Sequence, residues 1–142
     1  MSLEFVLDSS VTMAWYFQDE AMSATDELLD QLNADARAIV AAHWALEVCN
    51  TLLMAERRKR STVADSSHFL AILDALPIEI DQETVTKAGT ATLALARTRG
   101  LTLHDGAYLE LAIRRGLPLA TLDKELRAAA RKTGVPCLPK DV

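Results

Sequence analysis

Glu4-Phe5-Val6-Leu7-Asp8-Ser9-Ser10-Val11 decides the fold. Three consecutive apolar residues without alternation read as a strand buried on both faces, the signature of a parallel sheet. An acid closes the run, and Ser9 or Ser10 then caps a helix reaching Phe17. The same grammar recurs along the chain. A helix is predicted from Ser23, where Ser23-Ala24-Thr25-Asp26 matches a capping box, to Leu32. A buried strand follows over Ala38–Ala42, then a helix over Trp44–Arg60 whose Trp44, Val48, Leu52 and Ala55 share one face. Thr62-Val63-Ala64-Asp65 caps the next helix, which Pro77 stops after Leu76.

The second half repeats the pattern. Ile78-Glu79-Ile80 is a short strand and Thr84–Arg99 a long helix closed by Gly100. A helix over Asp105–Arg115 closes at Gly116, and Pro118–Leu122 is a fourth strand. Lys124–Lys132 is a last helix closed by Gly134, and Val135–Leu138 a last strand. Strands alternating with helices, with no hairpin signal, imply an α/β class: a mostly parallel sheet covered on both faces. Right-handed crossovers then place all strand C-termini along one edge, where such folds keep their sites.

The composition agrees. The chain has 142 residues, half of them apolar, with five glycines and four prolines. That size predicts one domain spanning residues 1–142 and excludes intrinsic disorder and linker-like character. No apolar stretch reaches the roughly 18 residues of a membrane span. Glu4 and Asp8 stand where a signal peptide would carry Lys or Arg before an apolar run, so a cytoplasmic protein with no membrane partner is expected. Cys49 and Cys137 lie in apolar runs and read as buried small hydrophobes. Net charge is −5, unevenly placed: residues 1–56 carry −9 and residues 57–142 carry +4. A nucleic-acid partner is compatible with that basic half only if something neutralises the acids near the substrate.

Four acids fall on the predicted site edge. Asp8 ends the first strand, Asp123 follows the fourth, Glu47 lies in the first turn of the helix after the second, and Asp105 opens a helix. Each interrupts an apolar neighbourhood. Asp8, Asp105 and Asp123 can equally serve as helix caps; Glu47 gains only a few tenths of a kcal/mol from the helix dipole, so its alternative is weaker. Two unit charges 4 Å apart repel by about 4 kcal/mol at an effective dielectric near 20. Raised carboxyl pKa values or a divalent cation relieve that repulsion. An all-oxygen donor set suits Mg²⁺ or Mn²⁺ rather than Zn²⁺.

Four stretches carry a resemblance: Val6-Leu7-Asp8-Ser9-Ser10-Val11, Trp44-Ala45-Leu46-Glu47-Val48-Cys49-Asn50-Thr51-Leu52, Leu103-His104-Asp105-Gly106-Ala107-Tyr108-Leu109-Glu110-Leu111-Ala112 and Ala120-Thr121-Leu122-Asp123-Lys124-Glu125-Leu126. In this order and spacing the chain, from Phe5 to about Pro139, resembles a PIN domain, specifically the VapC-type toxin branch of type II toxin–antitoxin systems. The resemblance implies an α/β/α sandwich and a Mg²⁺- or Mn²⁺-dependent endoribonuclease. It implies that Asp8, Glu47, Asp105 and Asp123 form the catalytic metal pocket, with Ser10, Thr121 and Asn50 in supporting positions, Asn50 orienting Glu47. It implies a homodimer, an RNA substrate and a cognate antitoxin protein that brings a basic side chain to the acids. His104 stands where an aromatic is common and Gly106 where alanine is frequent.

Cations for an RNA track are expected in Arg57-Arg58-Lys59-Arg60, or in a groove of Arg97, Arg99, Arg114, Arg115, Arg127, Arg131 and Lys132. Trp15, Tyr16 and Phe17 read as core, and His104 as packing or capping. Two other functions compete. A haloacid dehalogenase-type phosphatase also puts Asp after its first strand, but needs an acid two residues later, where Ser10 stands. A non-catalytic PIN-like scaffold that binds RNA or a partner would not require all four acids.

Overall fold

A computed structural model describes residues 2–142. Five strands form one sheet: β1 (Glu4–Leu7), β2 (Arg37–Val40), β3 (Ile78–Ile80), β4 (Leu119–Ala120) and β5 (Cys137–Leu138), in the order β3-β2-β1-β4-β5. Every neighbouring pair is parallel. The α/β class and the α/β/α arrangement expected from the sequence are therefore observed. The registers Phe5↔Ala38 and Val6↔Leu119 put β1 at the centre. Phe5, Val6 and Leu7 are wholly buried, as an unbroken apolar run in a covered central strand must be.

Eight helices flank the sheet: α1 (Ser9–Ala14), α2 (Ser23–Ala34), α3 (Trp44–Arg57), α4 (Val63–Asp74), α5 (Thr84–Lys87), α6 (Leu93–Arg99), α7 (Leu103–Arg115) and α8 (Lys124–Lys132). The apolar face of α3 is buried through Trp44, Val48, Leu52 and Ala55. No helix of the described residues is long and apolar enough to cross a membrane.

Several boundaries differ from expectation for local reasons. Asp8, not Ser9 or Ser10, caps α1, because its carboxylate reaches the Ser10 and Val11 amides. Ser23 begins α2 behind Met22, so the expected capping box does not form there, whereas the Thr62–Asp65 box forms with both bonds. Helix α3 stops at Arg57: Lys59 turns left-handed (φ 58°) and the Arg60 amide bonds back to Ala55 O, a Schellman closure. Helix α7 begins at Leu103 under a Thr102 cap, two residues ahead of Asp105.

The long helix expected over Thr84–Arg99 is interrupted by a π-helical turn, Ala88–Thr92, between α5 and α6. Gly89 weakens the helix at that point, and such turns recur near functional sites. Gly106 has a separate reason to lack a side chain. A Cβ there would lie 3.2 Å from Ala96 Cβ, so glycine lets α7 and α6 approach closely. Strands β4 and β5 are shorter than expected, since Thr121 onward is committed to the site. Cys49 is exposed and Cys137 only half-buried, so neither is the buried small hydrophobe expected; both are free thiols. Phe17 joins the core, while Trp15 and Tyr16 only pack against it.

Candidate functional site

The winding reverses at β1, with β2 and β3 laid out on one side and β4 and β5 on the other. The C-terminal ends of β1 and β4 thus bound a switch-point crevice. Asp8 and Thr121 meet there. Asp8 Oδ1 accepts from the Ser10 amide (2.9 Å), the Ser10 hydroxyl (2.6 Å) and the Val11 amide (3.3 Å). The Thr121 hydroxyl donates to Oδ2. Ser10 Oγ accepts from the Leu122 amide at 2.8 Å and Thr121 Oγ1 from the Asp123 amide at 3.1 Å, so the two hydroxyls knit the strand ends together. Asp8 is only 4% exposed. Burial pushes its carboxyl up to about 6, against the opposing pull of those hydrogen bonds.

Glu47, in the first turn of α3, accepts from the Tyr108 hydroxyl at 2.5 Å. Asn50 does not serve it: Asn50 is exposed and the described residues show no hydrogen bond between the two. Tyr108 is 1% exposed, and burial together with the Glu47 bond drives its phenol far above the ordinary value. Asp105 is half-buried, its amide capped by Thr102 Oγ1 at 3.2 Å. Burial raises its carboxyl, and the charges of Asp123 and Glu47 raise it further. Asp123 is exposed and caps α8 through Oδ1 and the Leu126 amide (2.9 Å).

All four acids therefore reach one edge and feel one another: Asp123 and Glu47 act on Asp105, and Asp8 and Asp105 act on Tyr108. They do not close on a single point. Among the described residues no group of three or more His, Cys, Asp or Glu side chains stands near enough to share an ion. Like charges splay apart, and each carboxylate leans on a local donor. Capping does not use up the set, because Asp123 caps through Oδ1 alone and Glu47 bonds Tyr108 through Oε1 alone. The donor chemistry (carboxylate and hydroxyl oxygen, mutually repelling, one acid deeply buried) fits a hard divalent cation held by Asp8, Asp105, Glu47 and Asp123.

Three residues that organise this edge lay outside the expected set. Tyr108 sits one turn after Asp105, close enough in a helix to share its face, which was the legible signal. His43, just before α3, stacks edge-on against His104 and tilts against Tyr108, each 4.9 Å between ring centres. Arg127 is 5% exposed and donates to the carbonyls of Thr121 (2.8 Å), Leu138 (3.3 Å) and Pro139 (2.6 Å). It fixes the ends of β4 and β5 and is not available for an RNA groove. Arg114 and Arg115 are likewise engaged, in ion pairs with Asp81 and Glu79. Arg60 pairs with Asp19 and lies over the Phe17 ring.

Parallel strands wound both ways from a central β1, with acids gathered at the reversal, define an open α/β domain whose ligand belongs at that edge. The chain belongs to the PIN domain family, whose model matches residues 5–132. PIN domains are generally nucleases. No curated relative matches by sequence. The fold is shared with PAE2754 from Pyrobaculum aerophilum (TM-score 0.70, 24% identity, 97% of this chain and 92% of that one). It is shared also with VapBC2 from Rickettsia felis, solved bound to a DNA fragment from its promoter (TM-score 0.64, 12% identity, 95% and 97%). FitAcB from Neisseria gonorrhoeae is similar too (TM-score 0.54, 17% identity, 96% and 97%).

Proposed function

We propose that the chain is a divalent-metal-dependent endoribonuclease, a single PIN-like domain acting as the toxin of a toxin–antitoxin pair in the cytoplasm. The observation that carries the reading is the electrostatic convergence of Asp8, Glu47, Asp105 and Asp123 at the switch-point edge. Family membership and the structural likeness to VapBC2 and FitAcB support the toxin role. When bound, Mg²⁺ or Mn²⁺ supplies Lewis acidity toward phosphate oxygens and water. Asp8 and Asp105 are direct ligands, with Glu47 and Asp123 completing the acidic set. Ser10 and Thr121 hold Asp8 in place, and Tyr108 orients Glu47 from within the core. A homodimer completes the surface that RNA crosses, and the antitoxin sets a basic side chain among the acids, relieving the same repulsion as the metal.

Purified protein freed of antitoxin should cut RNA with Mg²⁺ or Mn²⁺ and stop in EDTA; Asp105→Asn should be inactive and folded. RNA cleavage that persists in Asp105→Asn, with contamination excluded, would overturn the proposal. Tyr108→Phe removes one oxygen from a filled site. It should weaken divalent-ion binding about 10- to 100-fold, the usual cost of losing a hydrogen bond to a metal ligand. Calorimetric titration showing unchanged affinity would mean Glu47 does not depend on that hydroxyl.

A further inference from the structure

Beside the carboxylates lies a cavity of about 190 Å³ whose wall includes His43, His104, Leu103, Val85, Ala88 and Thr92. Its position is set by the site. His43 Nε2 is 3.8 Å from Glu47 Oε1, beyond hydrogen-bond reach, and His104 immediately precedes Asp105. The opposite wall is α5 and the π-helical turn, so the interruption of the long helix is what shapes it.

Two observations say what belongs inside. First, the wall offers flat and aliphatic surface to the outside: the paired imidazoles, Leu103 at 43% exposure and Val85 at 78%. Second, polar capacity is unspent in the same wall. Among the described residues four buried side-chain polar atoms lack a hydrogen-bond partner, and two of them, His43 Nε2 and Thr92 Oγ1, belong to this one cavity. Thr92 is 1% exposed. A buried hydroxyl without a partner costs about 1–3 kcal/mol, so it calls for a partner not yet in place.

We infer that this cavity is a nucleobase subsite: it takes the base of a nucleotide next to the phosphodiester held at the carboxylates, by stacking on His43 and His104 and hydrogen bonding to the unspent polar atoms. The inference rests on the nuclease reading for its substrate, though not for its chemistry. The volume is below the 300–1,000 Å³ of sites for larger ligands and suits one planar ring system. An aliphatic side chain from a protein partner would leave both polar atoms unsatisfied, whereas a base brings donors and acceptors at its edge and a face that stacks on imidazole.

The test uses neutral nucleosides, which avoid repulsion by the acids and need no metal. Adenosine, guanosine, cytidine and uridine are titrated into the whole protein without divalent ions, with NMR following the His43 and His104 ring protons and the Thr92 methyl. At least one nucleoside should shift these resonances saturably in the millimolar range, and ribose should not. Ala88→Leu, which fills the cavity from its half-buried rim, should weaken that binding at least tenfold. Thr92→Val keeps the shape without the hydroxyl and should reorder the four nucleosides. In parallel, bis(p-nitrophenyl) phosphate, a diester with no nucleobase, is offered with Mn²⁺. Diester hydrolysis with silent nucleoside titrations would overturn the subsite, leaving a water-filled cavity only, and spare the nuclease reading. Saturable nucleoside binding without hydrolysis would do the reverse. Binding undiminished in both variants would also overturn the subsite.

Discussion

Asp8→Asn is expected to abolish RNA cleavage and, with divalent ions removed, to raise stability at pH 8 by up to about 3 kcal/mol. Burial holds the Asp8 carboxyl at about 6 against an ordinary 3.8, and each pKa unit corresponds to about 1.4 kcal/mol. The folded state therefore binds the proton more tightly than the unfolded state. Above pH 6 the fold carries a buried, uncompensated charge; below about 4 the acid is neutral in both states and the penalty is gone. Wild-type stability should thus rise, through this group, as pH falls from 7 toward 4, and the variant should lack that rise. Asparagine keeps an oxygen for the Ser10 and Val11 amides and offers an amide to Thr121, so the cap survives. Urea unfolding in EDTA at pH 5 and pH 8 measures the difference. A variant less stable than wild type at pH 8 would show that the hydrogen bonds to the charged form outweigh burial. Adding Mg²⁺ should stabilise the wild type and leave the variant unmoved, since an ion that binds only the folded state raises stability by mass action.

Arg114→Met is the largest expected loss, about 3–5 kcal/mol, because it strands buried acids rather than merely removing a contact. Arg114 donates to Asp81 at 2.8 and 3.0 Å and to Glu110 at 2.9 and 3.0 Å. The Asp81 side chain is 1% exposed and that of Glu110 9%. Burial alone would raise Asp81; the Arg114 and Thr84 bonds win and hold it at about 2. The sign is the opposite of that for Asp8. A depressed carboxyl adds stability above its ordinary value of 3.8, and that stability fades as pH falls toward 2. The gap between wild type and Arg114→Met should therefore be widest near pH 7 and narrow on acidification, as the stranded acids take up protons. Unfolding curves between pH 3 and pH 7 read it directly, and a pH-independent gap would mean that lost packing, not stranded charge, is responsible. The same arginine anchors the far end of the helix that carries Asp105 and Tyr108, tying α7 to the chain after β3.

The sequence by itself determined the parallel α/β architecture, the positions of the acids along it and their common edge. Those follow from local rules: apolar runs between caps make covered strands, and right-handed crossovers send every strand end the same way. It also showed Asp8, Ser10, Thr121 and Asp123 as neighbours-to-be, since each closes or follows a strand that the topology sets beside the other. What it did not show was decided by contacts between distant segments. The partner of Glu47 is Tyr108, 61 residues on, rather than Asn50 one turn away, because the core turns the phenol inward and leaves the amide in solvent. Arg114 and Arg127 belong to the interior instead of an RNA groove, because carboxylates and carbonyls from other elements converge on them. The break at Ala88–Thr92, and with it the cavity beside His43 and His104, exists only where α5, α6 and α7 pack together. Local pattern specifies which element a residue enters; only packing specifies which side chain it meets.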